Sequence, residues 1–494
     1  MSELPKGWVE IPLEKVATWG SGGTPKRSEP SYYGGDVPWV KTGDLGPRYL
    51  RVASEYISQL GLAKSSAKVF PKGSVAIAMY GATIGKTSIL DFEASTNQAC
   101  AVGNPIDGVI LTDFLYYFLT SEKQNFIKKG KGGAQPNISQ QLIKAHEIKL
   151  APLAEQKRIV AKLDEVLAQV DAIKARLDRI PAILKRFRQS VLAAAVSGKL
   201  TEEWRGNFSL PESVLERYIK FRDNVIAGVS SVTQKEKLIK THQKDENFEF
   251  PLAIPNTWLL KNLNKIAFGF SYGSSFKSQT AGIVPVLRMG NIQNGKLDWN
   301  DLVYTSDSTE IEKYRLSKGD ILFNRTNSPE LVGKTAIYQS EKEAIYAGYL
   351  IKVQGSELLY SEFLNIALNS LHAKNYCLSV KTDGVSQSNI NAQKLGDFPC
   401  PLPSIEEQKE IVRLVEHYFV FADTIEAQVK KAQTRVDNLT QSILAKAFRG
   451  ELVAQDPNDE PAEKLLERIA QARTEAEALA KTVKKAGRKV KATS

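Results

Sequence analysis

"LAEQKRIVAKLDEV" at 153–166 returns as "IEEQKEIVRLVEHY" at 405–418, and "FRQSVLAAAVSGKL" at 187–200 returns as "LTQSILAKAFRGEL" at 439–452. Both pairs lie at a single offset of 252 residues. A repeat this long marks a duplicated half-chain rather than a solenoid. Within the first copy the apolar residues Ile159, Leu163, Val166, Val170, Ile173, Leu177, Ile180, Leu184, Phe187 and Val191 follow alternating steps of four and three, a heptad seam. Shifted by 252 they become Ile411, Val415, Tyr418, Ala422, Ile425, Val429, Ala432, Val436, Leu439 and Ile443, all apolar again. A lone amphipathic helix can bury such a stripe on its own domain. Ten seam positions found twice favour helix–helix packing instead.

Each segment covers about 40 residues, about 60 Å of helix at 1.5 Å per residue. Two copies of one unit related by a pseudo-twofold axis pack antiparallel, which places the globular parts at opposite ends of a rod. Pro181 stands in the first segment where the second has Gln433. A proline inside a helix removes a hydrogen bond, so a kink is expected there. Gly198 and Gly450 follow the last seam residues and suit C-terminal caps.

Working outward, the flanking regions echo one another more faintly. "VPWVKTGDL" (37–45) matches "VPVLRMGNI" (284–292), "IGKTSIL" (84–90) matches "VGKTAIY" (332–338), and "GGAQPNIS" (132–139) matches "GVSQSNIN" (384–391). Trp8 matches Trp258, and "LTDFLYYFL" (111–119) matches "YSEFLNIAL" (360–368). Short β-branched runs such as "SVAIAMY" (74–80) and "DILFNR" (320–325) read as strands. One helix per domain is expected from Thr112 and from Ser361, each acceptable as an N-cap. The predicted class is α/β: two mixed α/β globular domains separated by two long antiparallel coiled-coil helices. The boundaries are 1–152 for the first domain, 153–200 for its helix and 201–250 for a polar connector with one helix at 211–226. The second domain takes 251–403, its helix 404–452, and a charged extension with a basic tail 453–494.

The 494 residues, 42% of them hydrophobic, suffice for several real cores. The net charge of +11 points to an acidic partner such as nucleic acid. Much of that excess sits in the tail, where Lys481–Lys491 holds six cations and no anion. Cys100, Cys377 and Cys400 are too scattered for a metal site and read as reduced thiols in a cytoplasmic protein. Neither a signal peptide nor an apolar run of membrane-spanning length is present.

No catalytic constellation emerges. His146, His242, His372 and His417 lie near no cysteine and near no other histidine in the sequence. The two Gly-Lys-Thr stretches resemble phosphate-binding loops, but Tyr80 and Ser328 occupy the position that requires glycine. They read as turns between strands that can also present Lys86, Thr87 and Lys334 to a DNA backbone. Gln135 and Gln387 follow glycine loops, where an amide can pair bidentate with adenine. Asn137 and Asn389 are N-caps of short helices or DNA contacts. Lys128, Lys129 and Lys131 can position phosphates or form a solvated helix end. Arg288, Asn291, Arg325, Asn327 and Lys381 complete the candidate DNA-contacting set, and no metal ligand is assigned.

The helix ends "QSVLAAAVSGKLT" and "LTQSILAKAFRGEL", with "PLAEQKRIVAKLD" and "PSIEEQKEIV" opening the helices and "LKRFRQSVL" (184–192) after Pro181, closely resemble the specificity subunit of Type I restriction–modification enzymes. The likeness spans about residues 4–480. It implies two target recognition domains, each reading half of a split DNA site in the major groove, with the helices fixing the gap. It also implies two methyltransferase subunits docked on the helices, using S-adenosylmethionine to methylate adenine. Two restriction–translocase subunits, using ATP and Mg2+, are implied as well. This chain itself would bind no cofactor and catalyse nothing. The competing readings are a duplicated coiled-coil scaffold without DNA readout, and a nucleotide-dependent enzyme built on the Gly-Lys-Thr turns.

If the helices set the gap, four residues inserted near Lys174 add about 6 Å and a net turn of about 40°. The methylated motif should keep both halves and gain one or two base pairs between them, at about 3.4 Å each. Two inserted residues rotate the seam by about 200° and should abolish methylation. Sequencing of methylated genomic DNA reads both outcomes.

Overall fold

The computed structural model describes residues 4–130, 137–208, 212–244, 250–385, 387–472 and 474–475. The chain forms two compact units, Met1–Asp178 with Lys430–Ser494, and Arg179–Val429. Each long helix contributes to both units. The first runs Leu153–Val196 and the second Ile405–Ala447.

In the first unit, a five-stranded sheet has the order Ala17–Ser21, Cys100–Pro105, Val75–Ala78, Thr87–Leu90, Tyr49–Leu50. A four-stranded sheet has the order Glu55–Ile57, Tyr33–Val40, Ala94–Thr96, Val69–Phe70. The helix Thr112–Ser121 is apolar nearly all round, and Phe114 to Leu119 are all buried. Ile159 and Leu163 of the first long helix, and Leu444, Ala447 and Phe448 at the end of the second, complete the same core. Phe448 meets Phe114 and Phe118 edge-on at 5.2 and 5.3 Å. Burying a large apolar side chain contributes about 1.5–3 kcal/mol, so this packing fixes the helix ends to the sheets.

The second unit repeats the plan. Ala267–Tyr272, Leu350–Gly355, Ile321–Asn324 and Thr335–Ile337 form one sheet in that order; Val303–Thr305, Val284–Leu287 and Ile345–Tyr346 form another. The duplication survives at single hydrogen bonds. Ala78 N donates to Lys86 O and Gly85 N to Ala78 O; Asn324 N donates to Lys334 O and Gly333 N to Asn324 O. The Gly-Lys-Thr stretches are thus hairpin turns, with Gly85 and Gly333 at φ of 75° and 88°.

The repeated Glu-Gln pair anchors each domain. Trp8 Nε1 donates to Glu155 at 3.0 Å, and Trp258 Nε1 to Glu407 at 2.8 Å. Gln156 Oε1 accepts from Leu111 N while its Nε2 donates to the carbonyls of Val109 and Ala151. Gln408 does the same with Tyr360 N, Leu358 O and Pro403 O. These bonds correct the cap expectation. The N-caps of the domain helices are Leu111 and Tyr360, with no side-chain cap of their own. The glutamine amide bonds the cap's backbone N–H from 45 or 48 residues away, and Thr112 Oγ1 turns to Gly73 O instead. Similarly, the short helices Gln140–Lys144 and Ala392–Gly396 are capped by Ser139 and Asn391, not by Asn137 and Asn389.

Antiparallel helix packing occurs inside each unit. Lys174 pairs with Asp437 at 2.7 Å and Gln433 with Asp178 at 2.7 Å in the first. Arg188 pairs with Asp423 and Glu426 in the second, where Phe187 packs edge-on against Tyr418 and Phe421. The seam is buried or half-buried apart from Ile173, Tyr418 and Leu439, the most exposed of its positions. Pro181 lies inside the continuous helix Leu153–Val196. The missing N–H leaves one carbonyl of the turn before without its bond, and the helix continues.

Gly198 and Gly450 take φ of 75° and 74°, as C-caps do. A Cβ at Gly198 would lie 2.5 Å from Pro255 Cγ, and one at Gly450 2.4 Å from Pro5 Cγ. Each glycine thus closes its helix against the proline that precedes a domain. The connector holds more helix than its sequence suggested: Glu202–Asn207, Val214–Ala227 with a Ser213–Glu216 capping box, and Val232–Gln243. The last has no buried residue, so its weak apolar stripe carried no signal. Among the described residues no helix is long and apolar enough to cross a membrane.

The two anchors differ in the partners of their carboxylates. Glu407 is met by Arg205 at 3.0 Å and Thr201 at 2.7 Å, whereas burial raises the Glu155 pKa above its ordinary value despite the Trp8 bond. A raised carboxyl pKa favours folding below the unfolded value, and that contribution is lost as pH rises through the folded one. Glu155→Gln should therefore match wild-type stability near pH 4 and gain on it toward pH 8. Glu407→Gln breaks a buried pair and should cost about 3 kcal/mol at neutral pH. Denaturant midpoints at several pH values test both.

Candidate nucleic-acid interface

In the second domain, residues from distant segments meet on a three-stranded sheet, Thr326–Asn327, Ser388–Asn389, Thr382–Asp383 in that order. Thr326 pairs with Asn389 and Asn389 with Thr382, so Asn389 occupies the central strand. Its Nδ2 donates to Thr326 Oγ1 at 2.8 Å and its Oδ1 accepts from Arg325 Nη2 at 3.3 Å. Arg325 lies over the Tyr272 ring at 4.9 Å and reaches Gly348 O only at 3.5 Å; its buried Nε has no partner among the described residues. Asn327 Oδ1 accepts from Ser328 N. Lys381 and Ser388 both bond the Asp383 carboxylate and hold its pKa below the usual value. Gln387 is exposed, and its backbone carbonyl accepts from Gly384 N.

A second group surrounds the "LRMGNI" turn. Asn291 is 3% exposed; its Oδ1 accepts from Arg288 N, and its Nδ2 donates to Asp298 O and Asn300 O. Arg288 reaches Asp301. Lys334 Nζ donates to Gln293 Oε1 at 3.3 Å, which joins the Gly-Lys-Thr turn to this loop. Asn291 thus organises the loop, while Lys334 remains partly open to solvent.

The candidates of the first domain are less gathered. Lys86 is half-buried on its turn; Thr87 is buried, and its hydroxyl donates to Gly85 O, as Thr335 does to Gly333 O. Asn137 is exposed and makes an isolated antiparallel bridge to Tyr80. That bridge occupies the place of the Thr326–Asn389 pair, since Ile138 N donates to Met79 O as Ile390 N does to Arg325 O. Lys128 and Lys129 end the helix Lys123–Lys129, and Lys129 Nζ stands 3.0 Å from His146 Nδ1. Lys131 and Gln135 lie outside the described residues.

Tyr272 and Val385, which belong to this surface, carry no sequence signal of their own. Val385 is fully exposed beside the hairpin tip. Its neighbours Gly384 and Gln387 were the only hint.

Two stretches of the chain, residues 5–182 and 255–433, match the family described as Type I restriction modification DNA specificity domain. There is one match for each half of the duplication. The chain is 35% identical to the Type I restriction enzyme EcoKI specificity subunit of Escherichia coli K12, over 99% of both chains. It is 32% identical to the StySPI specificity subunit of Salmonella potsdam, over 92% of this chain and 91% of that one. The chain therefore belongs to the Type I restriction–modification specificity subunit family. Two solved structures share the fold. One, from work on assembly and conformational transition of the type I R-M system, gives a TM-score of 0.64 at 18% identity, over 91% of this chain and 100% of that one. The other, the HsdS subunit from Thermoanaerobacter tengcongensis, gives 0.52 at 19%, over 91% and 98%.

Within the second group, Lys334 and Asn291 predict separable phenotypes. Lys334→Ala should weaken DNA binding by the assembled enzyme for all sequences and reduce the salt slope by about 1. Asn291→Ala strips two carbonyls of their donor and should lower stability by about 1–3 kcal/mol. Salt-dependent DNA titration and thermal melting distinguish the two effects.

Proposed function

We propose that this chain supplies the sequence specificity of a Type I restriction–modification enzyme. Each globular domain reads one half of a bipartite DNA site, and catalysis resides in the partners. The observation that carries the reading is the duplicated anchor. The same Trp–Glu and Gln–backbone bonds fix each domain to a long helix, while the exposed loops of the two domains differ. A shared mounting with divergent exteriors is what two readers of different half-sites require. Reading a base pair needs a few placed polar side chains, each giving about 1–3 kcal/mol of discrimination. A family match in both halves supports DNA recognition over a plain scaffold.

On this reading two methyltransferase subunits dock on the long helices, bring S-adenosylmethionine and methylate adenine. Two restriction–translocase subunits add ATP- and Mg2+-dependent cleavage. Exposed apolar residues on the helices, Ile183, Val420 and Phe421, are suited to such docking. The chain works in the cytoplasm, where its three buried cysteines stay as thiols.

The test is a map of methylated adenines in cells with and without the chain. Deletion should erase one bipartite motif, and the purified chain alone should transfer no methyl group. Replacing residues 1–150 by the corresponding domain of a relative should change one half of the motif and leave the other. A swap that alters both halves would overturn independent reading.

A further inference from the structure

Resting on that reading, we propose that the hairpin formed by Thr382–Asp383 and Ser388–Asn389 of the second domain recognises an A·T base pair in the major groove. Gln387 meets the adenine edge, and Val385 covers the thymine methyl.

The hairpin has a braced base and a free tip. At the base, the central strand is paired on both sides. Asn389 spends both ends of its amide on Thr326 and Arg325. Lys394 ties the strand edge to Val380 O and Thr382 Oγ1 at 2.5 and 2.8 Å. Arg325, stacked on Tyr272, supports the sheet. Asn389, Arg325 and Lys394 are therefore positioning residues. At the tip, Gly384 N bonds Gln387 O and closes the turn. Val385 is fully exposed, and the Gln387 side-chain amide makes no hydrogen bond among the described residues.

The chemistry of those two free side chains selects the ligand. A side-chain amide sets an acceptor oxygen beside a donor NH2, the complement of adenine N6–H and N7. A branched apolar group gains nothing from water and matches the one apolar feature of the groove, the thymine C5 methyl. The hairpin's one carboxylate, Asp383, is already engaged by Lys381 and Ser388. The tip offers no cation for a phosphate, so a base edge fits better than the backbone. The support beneath the tip differs between the halves: the position of Arg325 is held in the first domain by Met79, 3% exposed.

The assembled complex containing the wild-type chain is titrated with duplexes carrying its methylated motif. Thymines in the half read by the second domain are replaced by uracil one at a time, which removes only the methyl. One position should lose affinity about tenfold, and a Val385→Ala complex should not distinguish thymine from uracil there. In methylation maps Gln387→Ala should relax one A·T position. Gln387→Glu, an acceptor only, should shift that position toward cytosine. The other half-site should be unchanged in both.

A half-site with no uracil-sensitive thymine overturns the proposal, as does an unchanged motif with Gln387→Glu. So does a variant that loses the methyltransferase while still binding DNA, because the hairpin would then be a protein contact. If the glutamine variants fail to fold, the uracil scan on the wild-type complex decides alone. Motif loss on deleting the chain, with an insensitive hairpin, would leave the specificity reading standing and reject only this assignment.

Discussion

Everything in this fold hangs on one buried amide, used twice. Gln156 and Gln408 stand in the first turn of each long helix and are fully buried. Each saturates three backbone groups of the domain that precedes it. A buried backbone group left without a partner costs about 1–3 kcal/mol, so one glutamine controls several kcal/mol of local order. The adjacent tryptophan–glutamate bond adds an orientation that apolar packing alone does not define. Domain and helix are thereby locked as one piece, and a reader on the domain inherits the direction of the helix.

The two locks are not equally strong. The second has a salt-bridged glutamate with three partners; the first has a glutamate whose Oε1 is buried and unbonded among the described residues. Arg158, one turn further, turns to Asp459 at 2.6 Å instead of reaching back to that carboxylate. The charged extension after Gly450 therefore does for the first unit part of what the connector does for the second. Gly7 O accepts from Ala462 N in the same place. Residues beyond the last heptad are structural members of the first unit and not merely a tail.

Much of this was legible in the sequence where periodicity carries the information. The seam, the glycine caps and the strands at 75–78 and 321–324 follow from spacing and residue type. The helix caps at Leu111 and Tyr360 were not legible, because the groups that satisfy them are 45 and 48 residues away. Of the candidate site, the residue types and the repeated motifs were legible, and the sheet does assemble Arg325, Asn327, Lys381, Gln387 and Asn389. Their division of labour was not. Asn291 and Asn389 look as available in sequence as Gln387, yet their amides are consumed by the fold. Only the hydrogen-bond partners separate a brace from a free side chain.

The separation of braced base and free tip bears on how such a protein changes over time. Val385 and Gln387 contribute no core burial and, among the described residues, no bond to neighbouring strands beyond the turn itself. Substitutions at such surface positions usually alter stability by less than about 0.5 kcal/mol. The hairpin can therefore drift through many side chains with the glutamine locks and both cores untouched. If the tip reads DNA as proposed, new sequence preferences become accessible by single steps, each leaving a folded subunit behind. On the proposed assignment, the residues that define what the protein recognises are the ones its folding is least able to protect.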